Sequence, residues 1–455
     1  MFGRVKRIHM IGIGGIGMSG IARILKELGF EISGSDIVRT ELTKELENAG
    51  IKVYYQHKRK NVENADVVVY SSAIPSDNPE IVEAKKRGIP VIPRAEMLAE
   101  LMRMRYSVAV SGTHGKTTTT SMIASIFEYA GLDPTIVIGG RVVETGRNAK
   151  LGNGNYLIAE ADESDKSFLK LFPTIVVVTN IEPEHLEHYE SFDEVKRAYI
   201  QFIHRTPFYG VAVLCADNPG VREIMPVVER RKVTYGIYEE ADIKIKTLEK
   251  KNWGARYTVI IRGKEEIFEL QVPGEHNIQN SLAAIGVSQE LEIPLEKIKE
   301  ALKEFKGVKR RMEKKKEKKG ILYIDDYAHH PTEIKATLRA VKEAVPGRRI
   351  VVLFQPHRYT RTYYLSPYFR DAFVDADYLV ITRIYPASEP PIPRITGKLI
   401  YDAVKKFGIP KALFYIENPE EIIERFLKEL KEGDVFVTLG AGDVWKIGER
   451  ILEKI

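Results

Sequence analysis

The sequence has few of the features that place a protein in a membrane or outside the cell. Its 455 residues include a single cysteine, Cys215, so no disulfide can form within the chain. That cysteine stands in an apolar run, which favours a buried thiol over a reactive one. No apolar stretch approaches the roughly 20 residues that span a bilayer, and the start of the chain leads into a strand rather than a signal peptide. We expect a cytoplasmic protein without a membrane partner.

An excess of one charge is also missing. The chain has 69 Lys and Arg against 63 Asp and Glu, a net charge of +6, which does not by itself indicate nucleic-acid binding. The densest basic run, residues 309–319, includes Glu313 and Glu317 and ends at Gly320. We therefore predict a solvated hairpin or loop there and no nucleic-acid partner.

A pattern of strand, loop and helix restarts three times, which predicts an α/β fold with parallel sheets. The segments cover residues 1–105, 106–307 and 308–455, and the second ends in alternating stretches typical of antiparallel strands. The predicted strands lie at 7–11, 31–35, 53–55, 67–71 and 91–92, then at 106–110, 156–159, 175–178, 211–214, 243–245, 257–261 and 266–270, and finally at 321–324, 350–353, 378–381 and 435–439.

The most informative segment is G-T-H-G-K-T-T at residues 112–118, between an apolar strand and a helix-like stretch. Backbone N–H groups and the positive end of the helix would hold phosphate oxygens, Lys116 would add a cation, and the Thr117 hydroxyl would ligate magnesium. The usual P-loop has glycine where this chain has Val110, so the loop is a variant. A plain glycine turn before a helix is the alternative. The predicted triphosphate-binding residues are Gly112, Thr113, His114, Gly115, Lys116, Thr117 and Thr118.

An earlier glycine turn follows the first predicted strand. Gly12, Gly14 and Gly17 fit G-x-G-x-x-G, and Asp36 ends the next strand, a pattern typical of dinucleotide binding. The glycines recognise a pyrophosphate rather than nicotinamide. An NAD-dependent oxidoreductase, a site for another nucleotide diphosphate and a turn that serves only helix packing therefore stay open. Because a second nucleotide loop is present, we favour a nucleotide-linked substrate on the first segment.

Acidic residues follow two predicted strands of the second segment. E-A-D-E-S-D occupies residues 160–165 and T-N-I-E-P-E-H residues 179–185, at strand ends where open sheets bind ligands. Magnesium prefers such oxygen donors, and Glu160 is the first candidate ligand; solvated loop acids are the alternative. His185 and His188 suggest zinc, but the neighbouring phosphate loop favours a magnesium-linked role for His185 and a surface position for His188.

Together these motifs resemble those of the Mur ligase family, whose members join amino acids to the nucleotide precursor of the bacterial cell wall. The resemblance implies a Rossmann-like amino-terminal domain that binds a UDP-sugar, a central P-loop ATPase-like domain and a Rossmann-like carboxyl-terminal domain. It also implies ATP- and Mg²⁺-dependent ligation of L-alanine to the carboxylate of UDP-N-acetylmuramate, through an acyl phosphate, by a monomer or homodimer. The motifs that carry it are G-x-G-G-x-G, G-T-H-G-K-T-T, E-A-D-E-S-D, T-N-I-E-P-E-H, G-E-H-N-I-Q-N, D-D-Y-A-H-H-P-T-E and P-H-R-Y-T-R-T.

The resemblance further implies roles for individual residues. Lys116, His185 and Arg311 would act in catalysis, and Thr117, Glu160 and His185 would hold magnesium. The residues implied for the UDP-sugar are Gly14, Gly15, Gly17, Asp36, His57, Ser71 and Ser72. Those implied for ATP besides the loop are His276 and Asn277 for adenine, Asp326 for ribose and Arg311 for phosphate, and those for the amino acid are His357, Arg358 and Arg361.

We assign no chemistry to His329 and His330, which we interpret as a helix start before Pro331. Glu184 stands where the family has aspartate, and Gln56 where it has glycine, which affects the surroundings of His185 and His57.

Two rival functions also share the loops: a recycling ligase that attaches a preformed tripeptide to the same nucleotide sugar, and a non-catalytic ATP-dependent switch.

Overall fold

The structure is a computed structural model that describes residues 2–139, 148–184, 189–387 and 389–455. The chain divides into two compact units. Unit 1 comprises Met1–Thr247, Thr258–Phe268 and Gln279–Glu304, and unit 2 comprises Leu248–Tyr257, Glu269–Ile278 and Phe305–Ile455. No helix in these described ranges combines the length and the apolar character needed to cross a membrane.

The first sheet belongs to unit 1 and is fully parallel. Its strands are β1 (Arg7–Ile11), β2 (Glu31–Ser35), β3 (Lys52–Tyr54), β4 (Val67–Tyr70) and β5 (Val91–Pro93), and its helices are α1 (Ile16–Glu27), α2 (Glu41–Asn48), α3 (Pro79–Lys86) and α4 (Arg94–Arg103). The strand order is β3-β2-β1-β4-β5. Met10 and Val69 on the central strands are fully buried, and α1 buries Ile21 and Leu25 in the same core. This order brings the carboxyl ends of all strands to one edge.

The second sheet has ten strands in the order β15-β14-β13-β12-β11-β10-β6-β9-β7-β8. The strands are β6 (Tyr106–Ser111), β7 (Thr135–Val137), β8 (Ala149–Lys150), β9 (Tyr156–Glu160), β10 (Ile175–Val178), β11 (Val211–Cys215), β12 (Lys232–Gly236), β13 (Ile243–Lys251), β14 (Gly254–Ile261) and β15 (Lys264–Leu270). The helices are α5 (Lys116–Tyr129), α6 (Phe192–His204), α7 (Pro219–Ile224), α8 (Glu275–Glu290) and α9 (Leu295–Glu304). The strands from β12 to β7 pair in parallel. Two-residue turns join β13 to β14 and β14 to β15. Turns this short join antiparallel strands, which agrees with the antiparallel stretches predicted for this part of the chain.

The third sheet belongs to unit 2 and has the order β16-β17-β21-β18-β19-β20. Its strands are β16 (Glu313–Lys318), β17 (Ile321–Asp326), β18 (Ile350–Phe354), β19 (Tyr378–Ile381), β20 (Ala412–Tyr415) and β21 (Val435–Leu439), and its helices are α10 (Pro331–Ala344), α11 (Tyr359–Leu365), α12 (Lys398–Phe407), α13 (Pro419–Glu429) and α14 (Val444–Lys454). Only the β16–β17 pair is antiparallel among its pairings. Buried cores cover both faces.

Three local predictions are confirmed. The basic run forms the hairpin of β16 and β17, with positive φ at Lys319 and Gly320 in its turn. His330 is the N-cap of α10, and its ring accepts a hydrogen bond from Thr332 N at 3.3 Å. Cys215 is buried at the end of β11, and burial raises the pKa of its thiol to about 12.

Candidate functional site

The glycine loop after β6 has a backbone that only glycine accepts at two positions. Gly112 has φ +141° and Gly115 has φ +82°. A Cβ at Gly112 would overlap the Thr179 Oγ1, and one at Gly115 would lie 2.6 Å from the Asn280 Oδ1. Gly115 is the N-cap of α5 and provides no side-chain cap. The first N–H groups of α5 therefore have no acceptor within the helix, which makes this helix end suited to an anion.

A second loop, after β10, holds the glycine loop in place. The His114 N–H donates to Asn180 Oδ1 at 2.7 Å, and the Thr113 N–H donates to the Asn180 carbonyl at 3.1 Å. Asn180 Nδ2 and Thr179 Oγ1 both donate to the His114 carbonyl, at 3.0 and 2.6 Å. The N–H groups of Thr113 and His114 are thus already used. The sequence predicted that successive N–H groups of the loop bind phosphate oxygens. In the structure, the N–H groups that remain for this role are those from Gly115 onward.

The Lys116 side chain is surrounded by hydrogen-bond acceptors of the glycine loop and of Glu163. Its Nζ donates to the Gly112 carbonyl at 2.6 Å and to Glu163 Oε1 at 2.9 Å. The Glu163 side chain is 4% exposed and that of Lys116 is 19% exposed. Burial would lower the pKa of Lys116, but the carboxylates of Glu163 and Asp162 outweigh it and raise the pKa. Lys116 is therefore a fixed cation at the start of α5.

The acidic residues lie on the strand next to the glycine loop. Glu160 ends β9, and its register partner on β6 is Val110, two residues before Gly112. Burial would raise the pKa of Asp162, but Lys116 and the Ser164 side chain and N–H outweigh it and lower the pKa. The structure thus brings Glu160 and Asp162 to the phosphate-loop edge of the sheet. The predicted ligand His185 lies outside the described residues, as does His188.

The upstream glycine turn is closed by Asp36 at the end of β2. Asp36 Oδ2 accepts from the Gly14 N–H at 2.9 Å, and Oδ1 accepts from the N–H of Ile37 at 2.8 Å. A Cβ at Gly14 would lie 2.8 Å from that Oδ2. Asp36, predicted to contact the UDP-sugar, here shapes the turn, and Gly15 forms the N-cap of α1 without a side-chain cap. Ser71 and Ser72 follow β4 at the same edge.

His57 belongs to a buried network centred on Glu80, which the sequence did not single out. Glu80 is fully buried; its Oε2 lies 3.1 Å from His57 Nδ1 and 2.5 Å from Ser35 Oγ. Its Oε1 accepts from Asn61 Nδ2 at 2.6 Å. Burial would raise the pKa of Glu80, but its electrostatic interaction with His9 and its hydrogen bonds from Ser35 and Asn61 outweigh it and lower the pKa to about 2. Because a carboxylate only accepts, His57 Nδ1 carries the hydrogen in this contact.

Replacing Glu80 with glutamine is expected to destabilise unit 1 by about 3 kcal/mol at pH 7, the free energy that corresponds to a pKa lowered from 4.5 to about 2. The folded carboxyl has the lower pKa, so its contribution is complete above pH 4.5 and is lost as the pH falls toward 2. Urea unfolding of the unchanged protein and of Glu80→Gln at several pH values measures the free energy of unfolding of each. The difference between them should narrow from pH 5 to pH 3. A difference that stays constant over this range would contradict the assignment.

In unit 2, the predicted ribose ligand Asp326 is engaged by the backbone. Its Oδ2 accepts from the Met312 N–H at 2.6 Å and its Oδ1 from the Ala328 N–H at 2.7 Å. Burial raises the pKa of Asp326 to about 6. These two contacts fix the segment that carries Arg311, whose guanidinium lies 5.0 Å from the ring centroid of Tyr327.

The predicted adenine residues begin α8. Asn277 is 5% exposed, and its Nδ2 donates to the Pro273 carbonyl at 2.6 Å. Burial, with a smaller effect of the Arg311 charge, lowers the pKa of His276 to about 4. His276 is therefore a neutral ring at neutral pH, which suits contact with an uncharged base better than with phosphate.

The predicted amino-acid residues lie together after β18. Arg361 Nη1 lies 3.0 Å from His357 Nδ1, and because arginine only donates, that nitrogen accepts. Burial, then the charges of His329 and Arg361, lowers the pKa of His357 to about 2. Arg358 has φ +68°, a conformation uncommon outside glycine, and its N–H donates to the Tyr385 carbonyl at 2.9 Å. The cluster presents two guanidinium groups, which is the chemistry that binds a carboxylate.

Comparison with known protein families accounts for nearly the whole chain. Residues 7–106 match the Mur ligase family, catalytic domain. Residues 110–288 match the Mur ligase middle domain, and residues 310–442 match the Mur ligase, glutamate ligase domain. The chain belongs to the Mur ligase family. The predicted three-domain α/β architecture is thereby confirmed.

Individual Mur ligases align over the full length. The UDP-N-acetylmuramate–L-alanine ligase of Geotalea uraniireducens (strain Rf4) is 51% identical over 458 residues, which cover 100% of this chain and 99% of the relative. That of Desulfatibacillum aliphaticivorans is 49% identical, with 99% of both chains covered. The crystal structure of the UDP-N-acetylmuramate-alanine ligase from Thermotoga maritima has a TM-score of 0.84 at 32% identity, over 99% of both chains. A murein peptide ligase from Psychrobacter arcticus, with a TM-score of 0.73 at 24% identity over 98% of both chains, shares the fold.

Membership in this family decides between the broad alternatives. The chain is a Mur ligase, a class of ATP-dependent ligases, so the first glycine turn does not indicate an NAD-dependent oxidoreductase. Sequence reasoning missed Glu80, which contacts His57, and several residues beside the two glycine loops. The residues beside the loops are Arg94, Glu163, Asn180 and Asn280. Only the proline that begins the helix of Glu80 and the apolar strand before Asn180 are sequence signals that could have drawn attention to them.

Proposed function

We propose that this Mur ligase joins L-alanine to the carboxylate of UDP-N-acetylmuramate at the expense of ATP, giving UDP-N-acetylmuramoyl-L-alanine, ADP and phosphate for peptidoglycan synthesis. The observation that carries the proposal is the 51% identity to an L-alanine ligase over 100% of this chain. The phosphate loop, the acidic strand end and the guanidinium cluster each supply chemistry that this reaction needs. The alternative, addition of a preformed tripeptide, has weaker support, from one murein peptide ligase at 24% identity and from a tripeptide ligase of Neisseria meningitides at 28% identity over 67% of this chain.

The loop before α5 fits the triphosphate of ATP. Its positive-φ glycines leave room where a Cβ would collide, and the uncapped first turn of α5 offers N–H donors. Lys116 adds a cation at the same place. We assign Thr117, Glu160 and His185 as the residues that would hold Mg²⁺, which would neutralise charge on the phosphates when bound. Arg311 is assigned as the second cation for phosphate, and His276, Asn277 and Asp326 as the nucleoside-binding residues.

The reaction begins with activation of the carboxylate. A carboxylate is a poor electrophile, so one of its oxygens attacks the γ-phosphorus of ATP, the bond to the β-phosphate oxygen breaks, and ADP leaves. The acyl phosphate that forms has a good leaving group. Lys116 and Arg311 stabilise the negative charge on the transferring phosphoryl group. No acyl-enzyme residue is needed.

The second step forms the amide. We assign His357, Arg358 and Arg361 to the amino acid, whose carboxylate a guanidinium can bind with two parallel hydrogen bonds. The neutral amine of alanine attacks the acyl carbon, and the tetrahedral intermediate expels phosphate. The amine loses a proton in this step. Gly14, Gly15, Gly17, His57, Ser71 and Ser72, with Asp36 shaping the turn, are the residues assigned to the UDP-sugar.

We divide the chain into a UDP-sugar domain at residues 1–105, an ATP domain at residues 106–307 and an amino-acid domain at residues 308–455. We further propose that the protein is cytoplasmic and is a monomer or homodimer.

Phosphate release tests the proposal directly. The purified protein is incubated with ATP, Mg²⁺ and UDP-N-acetylmuramate, and phosphate is measured with L-alanine, with each other amino acid, with the tripeptide L-alanyl-γ-D-glutamyl-meso-diaminopimelate, or with no acceptor. We expect release that depends on both UDP-N-acetylmuramate and L-alanine, together with an amide product of the matching mass. Release that ignores L-alanine would refute the proposal. Release that needs only the tripeptide would establish the recycling activity instead, and release with ATP alone would indicate the ATP-dependent switch.

A further inference from the structure

The carboxyl edge of the third sheet has a crevice on the face that α13 and α14 cover. Strands β18 and β19 are followed by α11 and α12, which pack on the opposite face, whereas β20 and β21 are followed by α13 and α14. In the order β21-β18-β19-β20, the two middle strands therefore have no helix of their own on this face. Open α/β sheets bind ligands in such a crevice, where successive connections change from one face to the other.

A cavity of about 240 Å³ occupies this crevice. It is larger than a single phosphate and smaller than the roughly 300–1,000 Å³ pockets that hold drug-sized ligands. Its buried lining residues are Gln355 and Thr382, directly after β18 and β19. Pro419 of α13 and Ile447 of α14 are half-buried and line its sides. The cavity lies entirely within unit 2 and is of a size for a small metabolite.

Thr382 has a buried hydroxyl to which no described residue is hydrogen-bonded. The residue is 1% exposed, and its N–H donates to the Phe354 carbonyl at 3.0 Å, which continues the β18–β19 ladder. Side chains two residues apart on a strand lie on the same face. Val380 packs with α13 and α14, so the Thr382 side chain points to that face, into the cavity. Burying a hydroxyl without an acceptor is costly, so this position fits a hydroxyl whose acceptor is a ligand.

The acidic side chains of the cavity already accept hydrogen bonds. Gln355 Nε2 donates to Asp443 Oδ1 at 3.0 Å, and the Tyr415 hydroxyl donates to the Glu417 carboxylate. Gln355 Oε1 accepts from the N–H groups of Asp443 and Val444 at 2.9 and 3.1 Å. Gln355 therefore fixes the start of α14 and forms a rigid wall of the cavity.

Two cations of the cavity have no acidic partner in the part of the chain that the structure describes. They are Arg383, two residues after β19, and Lys446, in the first turn of α14, whose Nζ lies 5.7 Å from the ring centroid of Trp445. A third cation, Arg450, donates to Glu420 Oε1 at 2.6 Å. The groups left for a ligand are thus one hydroxyl, one guanidinium and one ammonium, all of which donate hydrogen bonds to an anion.

We propose that this crevice is a second ligand site, which binds a small phosphate ester. The phosphate oxygens accept from the Thr382 hydroxyl, from the planar guanidinium of Arg383 and from Lys446, and the organic part packs against Pro419 and Ile447. The guanidinium cluster assigned to the amino acid leads from β18 into α11, on the opposite face. The crevice is therefore separate from that cluster, and the proposal does not depend on which amino acid the enzyme uses.

Calorimetric titration of the full-length protein with glycerol phosphate tests the proposal. The other probes are inorganic phosphate, glycerate, which has a carboxylate in place of the phosphate, and glycerol, which has no charge. UDP-N-acetylmuramate and a non-hydrolysable ATP analogue are present at saturation, because the two glycine loops are also suited to phosphate. The variants are Thr382→Val, Arg383→Ala and Lys446→Ala, with Lys454→Ala as the control, an exposed lysine in the last turn of the same helix. Thermal unfolding checks that each variant is folded.

We expect the unchanged protein to bind glycerol phosphate more tightly than inorganic phosphate, glycerate or glycerol. Each of the three cavity variants should bind glycerol phosphate about 10-fold or more weakly, the loss typical of one hydrogen bond to a charged group, and Lys454→Ala should bind it like the unchanged protein. Thr382→Val should keep the full thermal stability, because it removes a hydroxyl that has no partner in the protein.

Four results would overturn the proposal. The first is the absence of binding in the millimolar range, and the second is an unchanged affinity for glycerol phosphate in Thr382→Val. The third is a loss of affinity in Lys454→Ala equal to that in Lys446→Ala, which would indicate a general effect of positive charge. The fourth is glycerate binding as tight as that of glycerol phosphate, which would make the site one for carboxylates.

Discussion

Turnover by the Lys116→Ala variant is expected to fall by roughly 1,000-fold, the upper range for removal of one preorganised group that stabilises transition-state charge. Lys116 is the cation at the start of α5, and no other lysine or arginine lies within the glycine loop at residues 112–118. Phosphate release with UDP-N-acetylmuramate and L-alanine measures the effect. Near-normal turnover would contradict the assignment of this loop to ATP.

This variant needs a control for stability because Lys116 has a buried partner. Removing the lysine leaves the carboxylate of Glu163, which is 4% exposed, without its cation. Breaking a buried pair costs about 3 kcal/mol or more. The double variant Lys116→Ala/Glu163→Gln removes the stranded charge, so we expect it to recover most of the stability and none of the activity. Denaturant unfolding beside the turnover assay separates these effects, and recovery of activity in the double variant would show that Lys116 acts only through folding.

The central strands could be predicted from the sequence because parallel strands with both faces covered are continuous apolar runs. IVVV in β10 and IVVLF in β18 have this form. The edge strand β20 was missed. Its residues, ALFY, are all half-buried and show no alternation of buried and exposed positions, so only Gly408 at the end of α12 separates them from the preceding helix. The lysine-rich β16 has no apolar face, and only its pairing with β17 makes it a strand.

The candidate site was predictable where chemistry is local and unpredictable where it depends on distant partners. The motif at residues 112–118 predicted the loop, the cation and the helix that follows it. It gave no sign that Asn180, 66 residues further on, would take the N–H of His114, or that Glu163 would accept from Lys116. Such partners depend on which strands become neighbours. The order β10-β6-β9 decides that the loops after β10 and β9 flank the glycine loop.

The surroundings of individual charged residues could not be predicted from the sequence either. Glu80 and Arg94 each lie in the first turn of a helix, a place where charged residues are usually solvated. In the structure one is fully buried under His57 and the other lies against Gly17. A sequence pattern does not distinguish a solvated charge from one that contacts a histidine or packs against a glycine turn. The three-dimensional contacts make that distinction.

Gly112→Ala is expected to lower turnover by about 100-fold, because a displacement of about 1 Å in a positioning element costs that much in rate. The residue has φ +141°, which disfavours any side chain, and the added Cβ would overlap the Thr179 Oγ1 and approach the Asn180 N to 3.0 Å. Thr179 and Asn180 are the residues that hold the His114 carbonyl. The loop would have to move away from Thr179 and Asn180, and the start of α5 would move with it.

Gly131→Ala is the matched control. Gly131 follows α5 with φ +80°, and a Cβ there meets nothing within 4 Å, so its substitution strains the backbone without a collision. Both variants should lose stability, by about 1 kcal/mol from the backbone alone, but only Gly112→Ala should lose turnover and affinity for an ATP analogue. A phosphate-release assay measures the turnover, and calorimetric titration measures the affinity for the ATP analogue. Equal turnover in both variants would mean that the contact with Thr179 and Asn180 does not set the geometry of the loop.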